Sequence, residues 1–86
     1  MSGMNRFPAG YLPRKAMAEA LERARTFGAL VRHPKMRQYW IPLGVPTAAG
    51  VPVWRTHERV VQAMIATGQV RVVEMGDARP VRVEPV

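Results

Sequence analysis

Between Thr56 and Val73 the chain reads THERVVQAMIATGQVRVV. Val60, Val61, Met64 and Ile65 recur at spacings that place them on one stripe of a helix. Arg59, Gln62, Ala63 and Ala66 fall largely on the other side. Thr56 suits the N-cap, Glu58 suits the positive end of the helix dipole, and Gly68 suits a left-handed stop. Val70, Val72 and Val73 then favour an extended chain. Met75-Gly76-Asp77-Ala78 supplies turn chemistry, and Pro80 to Glu84 alternates as a return strand. Two hairpin registers fit. Pairing Val72 with Val81 sets Arg71 opposite Arg82, a like-charge contact; a shift of two residues sets Arg71 opposite Glu84 instead. Parity is the same in both and does not choose.

Upstream, the pattern predicts a helix from Arg14 to Phe27, entered through Pro13 and stopped at Gly28. Its apolar stripe is Ala16, Met17, Ala20, Leu21, Ala24 and Phe27, and Glu19 precedes Arg23 in the favourable four-residue order. Ala29 to His33 and Gln38 to Leu43 read as two strands around the loop Pro34-Lys35-Met36-Arg37. Tyr39 and Ile41 share one face of the second strand and Trp40 takes the other. Pro42 belongs at a strand end or edge. Leu43 to Pro52 contains Gly44, Pro46, Gly50 and Pro52, so an irregular connection is expected, with Val51, Val53 and Trp54 as a short third strand or an anchor. Residues 1–12 read as a flexible N-terminal arm, with Phe7 and Tyr11 as points of attachment, and 13–86 as one small domain. The predicted class is α+β: two helices packed on a small antiparallel sheet built from two β-hairpins. Its core is expected to include Met17, Leu21, Phe27, Val31, Ile41, Val60, Val61, Met64, Ile65, Val70 and Val72.

Composition narrows the options. A chain of 86 residues buries a limited core, and with no cysteine it has no disulfide or thiolate metal site to add stability. His33 and His57 stand far apart with no metal-ligand spacing between them. No run of about 18 apolar residues suggests a membrane span, and no secretory signal pattern opens the chain; a cytoplasmic protein is the expectation. The formal charge of +7 favours anionic partners. Lysine occurs only twice among plentiful arginine, alanine, valine, glycine and proline, so codon bias is an equally good source of that charge.

The most informative chemical feature is an acid-free interval. Between Glu22 and Glu58 there is no carboxylate, while Arg23, Arg25, Arg32, Lys35, Arg37 and Arg55 alternate with Phe27, Tyr39, Trp40 and Trp54. Cations that neutralise phosphates and rings that stack on bases make such a stretch suited to nucleic acid. The competing reading is structural: aromatics fill the core and arginine stems cover apolar surface. Arg32, Lys35, Arg37 and Arg55 are the candidate phosphate contacts, with Tyr39 or Trp40 as a stacking surface. Arg71, Arg79 and Arg82 form a second basic group, diluted by Glu74, Asp77 and Glu84. No acid–base pair, phosphate loop or nucleophile elbow is visible, so the chain reads as non-enzymatic, without cofactor or metal.

The order cap, helix, Gly68, valine-rich strand, turn and strand from Thr56 to Val83 resembles the recognition helix and wing of winged-helix DNA-binding proteins. The resemblance covers about a third of the chain. It implies that Arg59, Gln62, Ala63 and Ala66 face DNA and that Arg79 and Arg82 are wing contacts. Upstream the chain departs from that pattern, with a hairpin where a further helix belongs. Its size and lack of catalytic residues also look like small uncharacterised phage or prophage proteins, a likeness that implies no activity. The leading expectation is a nucleic-acid-binding module. The alternative is a protein-interaction module, such as a homodimer joined through exposed strands at Gln38–Leu43 or Pro80–Glu84.

Overall fold

The computed structural model describes residues 12–47 and 53–86. The expected arm before Leu12, with Phe7 and Tyr11, lies outside the described residues, as does Val51. Helix α1 (Arg14–Phe27) leads into strands β1 (Leu30–Arg32) and β2 (Tyr39–Pro42). A short strand β3 (Thr56–His57) precedes helix α2 (Glu58–Ala66), and the hairpin β4 (Val70–Gly76) and β5 (Arg79–Pro85) ends the fold. The class is α+β, with two helices and a five-stranded antiparallel sheet in the order β3-β2-β1-β5-β4.

Helix α1 has the bounds its periodicity predicts, and Gly28 at φ 92° ends it in the left-handed region. Helix α2 ends at Ala66 with Thr67 as its C-cap, followed by Gly68 at φ 75°. Its start differs from the expectation. Thr56 is not the cap: it is extended, buried and paired opposite Trp40. His57 is the cap, its Nδ1 accepting a hydrogen bond from the N–H of Arg59 at 3.2 Å. A β-branched residue beside a free strand edge gained a ladder partner there, and the neighbouring imidazole supplied the acceptor that a hydroxyl normally provides.

Both helices lie on one face of the sheet. Met17, Ala20 and Ala24 of α1 and Val60, Val61, Ala63 and Met64 of α2 form a single cluster with Leu30, Trp40, Val70 and Val83. Residues opposite one another across a ladder share a face, and alternate residues of a strand do too. The helix face therefore carries Leu30, Arg32, Trp40, Pro42, Thr56, Val70, Val72 and Val83. The far face carries Val31, Tyr39, Ile41, His57, Arg71, Arg82 and Glu84. The core differs from expectation at several positions, and Leu21, Val31, Ile65 and Val72 are only half-buried. Phe27 is exposed, and Trp40, Leu30 and Val83 take the central positions. Ala63, expected on the polar side of α2, is buried. Its small side chain lets the helix sit close to its neighbours. Arg23 lies 3.8 Å from Glu22 and over the Trp54 ring at 4.8 Å, and among the described residues it forms no ion pair with Glu19.

In the C-terminal hairpin Arg71 stands opposite Glu84 and Val72 opposite Val83, the register that separates Arg71 from Arg82. Register shifts on either side of Glu74 then cancel, leaving Gly76 opposite Arg79. The strands expected to be edges are interior: β2 lies between β3 and β1, and β5 between β1 and β4. The end of the acid-free interval supplies β3, which covers the β2 edge at Tyr39 and Trp40.

Asp77 and Ala78 close the hairpin at φ 51° and 62°. Both are in the left-handed region, the geometry of a two-residue turn that follows the twist of its strands. Asparagine, aspartate and glycine tolerate it; alanine is strained there by roughly 1–2 kcal/mol. Glycine removes that strain at a smaller cost in unfolded-chain entropy. Ala78→Gly is therefore expected to raise unfolding stability by about 0.5–1 kcal/mol. A urea titration followed by circular dichroism measures this, and a shift of the midpoint to lower urea contradicts the strained-turn assignment.

Candidate nucleic-acid interface

The first residue of α2, Glu58, sits at the centre of a polar cluster on the helix face. Trp40 Nε1–H donates to Glu58 Oε1 at 2.8 Å, and Arg32 Nη1 lies 2.9 Å from the same oxygen. Gln62, one turn along α2, donates to Glu58 Oε2 at 2.9 Å. Arg32 reaches this position because it alternates with Leu30 on the helix side of β1. Its Nε donates to the Pro80 carbonyl at 3.0 Å and its Nη1 to the Arg37 carbonyl. The guanidinium lies 4.8 Å from the centroid of the Trp40 ring. One cation thus ties β1, the β1–β2 loop, the start of β5 and the start of α2 together.

Burial pushes the Glu58 carboxyl upward, but hydrogen bonds from Trp40, Gln62 and Arg32 and the charge of Arg32 outweigh it together. The net effect holds Glu58 below its ordinary value. This cluster removes three residues from the list of candidate contacts. Trp40 is 0% exposed and offers no stacking surface, and Arg32 at 7% is neutralised inside the fold. Gln62 is half-buried and bonded to Glu58. Both Trp40 and Arg32 fall to the helix side by strand alternation, and the alternation is what assigns them to structure.

The far face has a different character. Tyr39 is half-buried there, with Arg55 over its ring at 4.5 Å and His57 edge-on at 5.5 Å. Ile41 and Val31 make an apolar centre, Ile41 being 2% exposed. Across β5 and β4 the face is mixed: Arg82 bonds Glu84 at 3.3 Å, and Arg71 stands opposite Glu84. The β3–β2–β1 half carries no carboxylate on this face.

Further cations gather at the adjoining end of the sheet. The β1–β2 loop is pinned by His33, whose Nδ1 accepts from the N–H groups of Lys35 at 3.0 Å and Met36 at 2.9 Å. This makes His33 a turn-forming residue. Lys35 and Arg37 are exposed on the loop, and Arg37 reaches Asp77 on the β4–β5 turn at 3.7 Å. Arg79 is exposed beside that turn, and Arg59 is exposed in the first turn of α2. Glu58 N–H donates to the Gln38 carbonyl at 2.8 Å, which brings that helix start to the same end. The structure therefore places Lys35, Arg37, Arg59 and Arg79 at one end, with Tyr39 and Arg55 round the corner and Arg82 further across the far face. His57 was not a candidate contact in the sequence; its alternation with Arg55 around the β3 strand was the available signal. Of the helix residues that the winged-helix resemblance turns towards DNA, Arg59 and Ala66 are exposed and Ala63 is not.

Among the described residues, no three His, Cys, Asp or Glu side chains come together as a metal site. No helix there is long and apolar enough to cross a membrane.

Removing the charge of Glu58 leaves the Arg32 guanidinium buried without its counterion. Glu58→Gln is expected to cost about 3 kcal/mol of unfolding free energy. The pH dependence follows from the lowered carboxyl. The unfolded chain binds the proton first as pH falls, so the contribution is complete above the unfolded value of about 4.3. It is lost as pH drops through the lower folded value. Urea midpoints measured from about pH 6 to about pH 3 should fall more steeply for the wild type than for Glu58→Gln. Parallel profiles contradict the role assigned to Glu58. Comparison with known proteins leaves this geometry to stand alone: no family model, curated protein or solved structure matches the chain.

Proposed function

We propose that this chain is a non-enzymatic nucleic-acid-binding module. It uses the β3–β2 half of the far face and the adjoining end of the sheet. The observation that carries the reading is the Arg55–Tyr39–His57 group: a half-buried ring flanked by a guanidinium and an imidazole on an acid-free part of the sheet. An unpaired base would stack on that ring by displacing the Arg55 guanidinium from over it, which frees Arg55 to meet the adjoining phosphate. Lys35, Arg37, Arg59 and Arg79 extend the cationic surface, with Arg82 at its far margin. Arg32, Trp40 and Gln62 support the surface from beneath and make no contact with the ligand.

The sheet mode has more to work with than helix insertion into a groove. On α2 the exposed side carries one arginine beside an alanine, and Gln62 is engaged with Glu58. A protein that reads base edges from a helix needs several hydrogen-bonding side chains there. A stacking platform needs one accessible ring and nearby cations.

Fluorescence anisotropy with a labelled single-stranded oligonucleotide, and with its duplex, tests this. With three or four phosphates neutralised, affinity for the single strand should fall roughly 20- to 50-fold from about 50 to about 200 mM salt. Tyr39→Ala is expected to weaken single-strand binding by at least about fivefold, the lower range for one stacked base. Arg55→Ala should weaken it and flatten the salt dependence, while Arg25→Ala, on the exposed side of α1, should change little. No binding at low salt, or binding indifferent to salt and to Tyr39, overturns the proposal.

A further inference from the structure

We propose that β4 pairs with β4 of a second copy of this chain, joining two sheets edge to edge. The edges of the sheet are unequal. β3 has two residues, whereas β4 has seven, and among the described residues no strand pairs with its outer side. Val73 and Met75 on β4 are 41% and 57% exposed. Arg71 and Glu74 beside them are exposed, and neither takes part in an ion pair among the described residues.

The bulge in β4 decides which side these charges occupy. Arg71 stands opposite Glu84 and Glu74 opposite Arg82. Arg82 and Glu84 are two apart on β5 and share the far face, so Arg71 and Glu74 share it as well, although they are three apart. In a regular strand they would point to opposite faces. The extra residue, Val73, lies in the register shift between Val72 and Glu74 and makes the difference.

Two copies of a strand pair antiparallel about a two-fold axis normal to the sheet, which keeps like faces together. With that axis between Val72 and Val73, Arg71 stands opposite Glu74 of the second copy, and Glu74 opposite its Arg71. Val72 then meets Val73, and Val70 meets Met75. The neighbouring registers lose this match. An axis through Val73 sets Arg71 against Met75 and Val72 against Glu74. An axis through Val72 sets Val70 against Glu74 and Arg71 against Val73. Opposite charges across a ladder stabilise it and like charges oppose it, so one register is preferred.

A bulge and charged side chains are also the means by which edge strands avoid pairing. A protective edge, however, repels a copy of itself, whereas this one is self-complementary. The contact area is small beside the roughly 1,200–2,000 Å² of a stable interface, so the association should be reversible and concentration-dependent. The helices of both copies would lie on one side of the joined sheet and both far faces on the other.

Sedimentation velocity across a concentration series, without nucleic acid, tests the proposal. The wild type should show a monomer–dimer equilibrium. Arg71→Glu alone and Glu74→Arg alone place like charges across the two-fold axis and should each weaken self-association by at least about tenfold. Mixing the two variants in equal amounts should restore dimers, because each then supplies the charge the other lacks. Each change also opposes like charges within its own hairpin, so circular dichroism must show both variants folded. Val73→Lys supplies a second route, abolishing association without altering a charge that faces β5. A wild type that stays monomeric to millimolar concentration overturns the proposal. So does a mixture that stays monomeric while the wild type dimerises, or a Val73→Lys protein that associates normally.

Discussion

The fold depends on the ion pair between Arg32 and Glu58. Its two residues are far apart in sequence and come from different layers, one from β1 and one from the first turn of α2. Arg32 also holds the carbonyls of Arg37 and Pro80, so the pair fixes the helix start against three parts of the sheet at once. A buried pair of this kind is weak evidence for net stability, because desolvation offsets most of the Coulombic gain. Its contribution is positional. Glu58 has accepting oxygens in range of Arg32, Trp40 and Gln62 only when α2 begins where it does.

The same pair explains how the sequence was legible and where it misled. Regular periodicities were readable: the α1 stripe, the alternation of Tyr39, Trp40 and Ile41, the glycine stops and the C-terminal hairpin all follow from local spacing. The strand order was not, because it depends on which edges meet in space. The acid-free interval looked like an uninterrupted basic surface. In the folded chain the first acid after it, Glu58, turns back to neutralise an arginine near its middle. Arg32 therefore could not be separated from Lys35 or Arg55 by residue type. Strand parity separates them once the chain partner of β1 is known, since Arg32 falls on the helix side with Leu30 and Trp40.

Parity also divides the aromatics. Trp40 faces the helices and becomes the largest fully buried side chain, whereas Tyr39, its neighbour, faces away from them. The two residues were interchangeable as stacking candidates on composition alone. Their fates differ because one position along a strand reverses the face. The Trp40 indole finds its hydrogen-bond acceptor in Glu58, which removes the cost of burying its N–H. Tyr39 has no such role in the helix-side core, and its ring is engaged by Arg55 and His57 on the far side.

Net charge by itself does not distinguish a binding protein from an arginine-rich composition, but the placement of the carboxylates does bear on it. Glu22, Glu58, Asp77 and Glu84 are each within ion-pair distance of an arginine. Their arginines are Arg23, Arg32, Arg37 and Arg82, spread over α1, β1, a loop and β5. The cations outside those pairs are not gathered into one patch either: Arg14, Lys15 and Arg25 belong to α1, on the other side of the sheet from Tyr39. What remains near the Tyr39 ring is Arg55, with Lys35, Arg59 and Arg79 at the adjoining end. The acids closest in sequence to that group are Glu58, which pairs inward with Arg32, and Asp77, which is exposed on the turn and pairs with Arg37. On the β2–β3 side the carboxylate nearest to Arg55 and Arg59 in sequence is therefore already engaged. The internal ion pair thus protects the local electrostatics of the outer surface, and the protection is independent of how much of the total charge arose from codon usage.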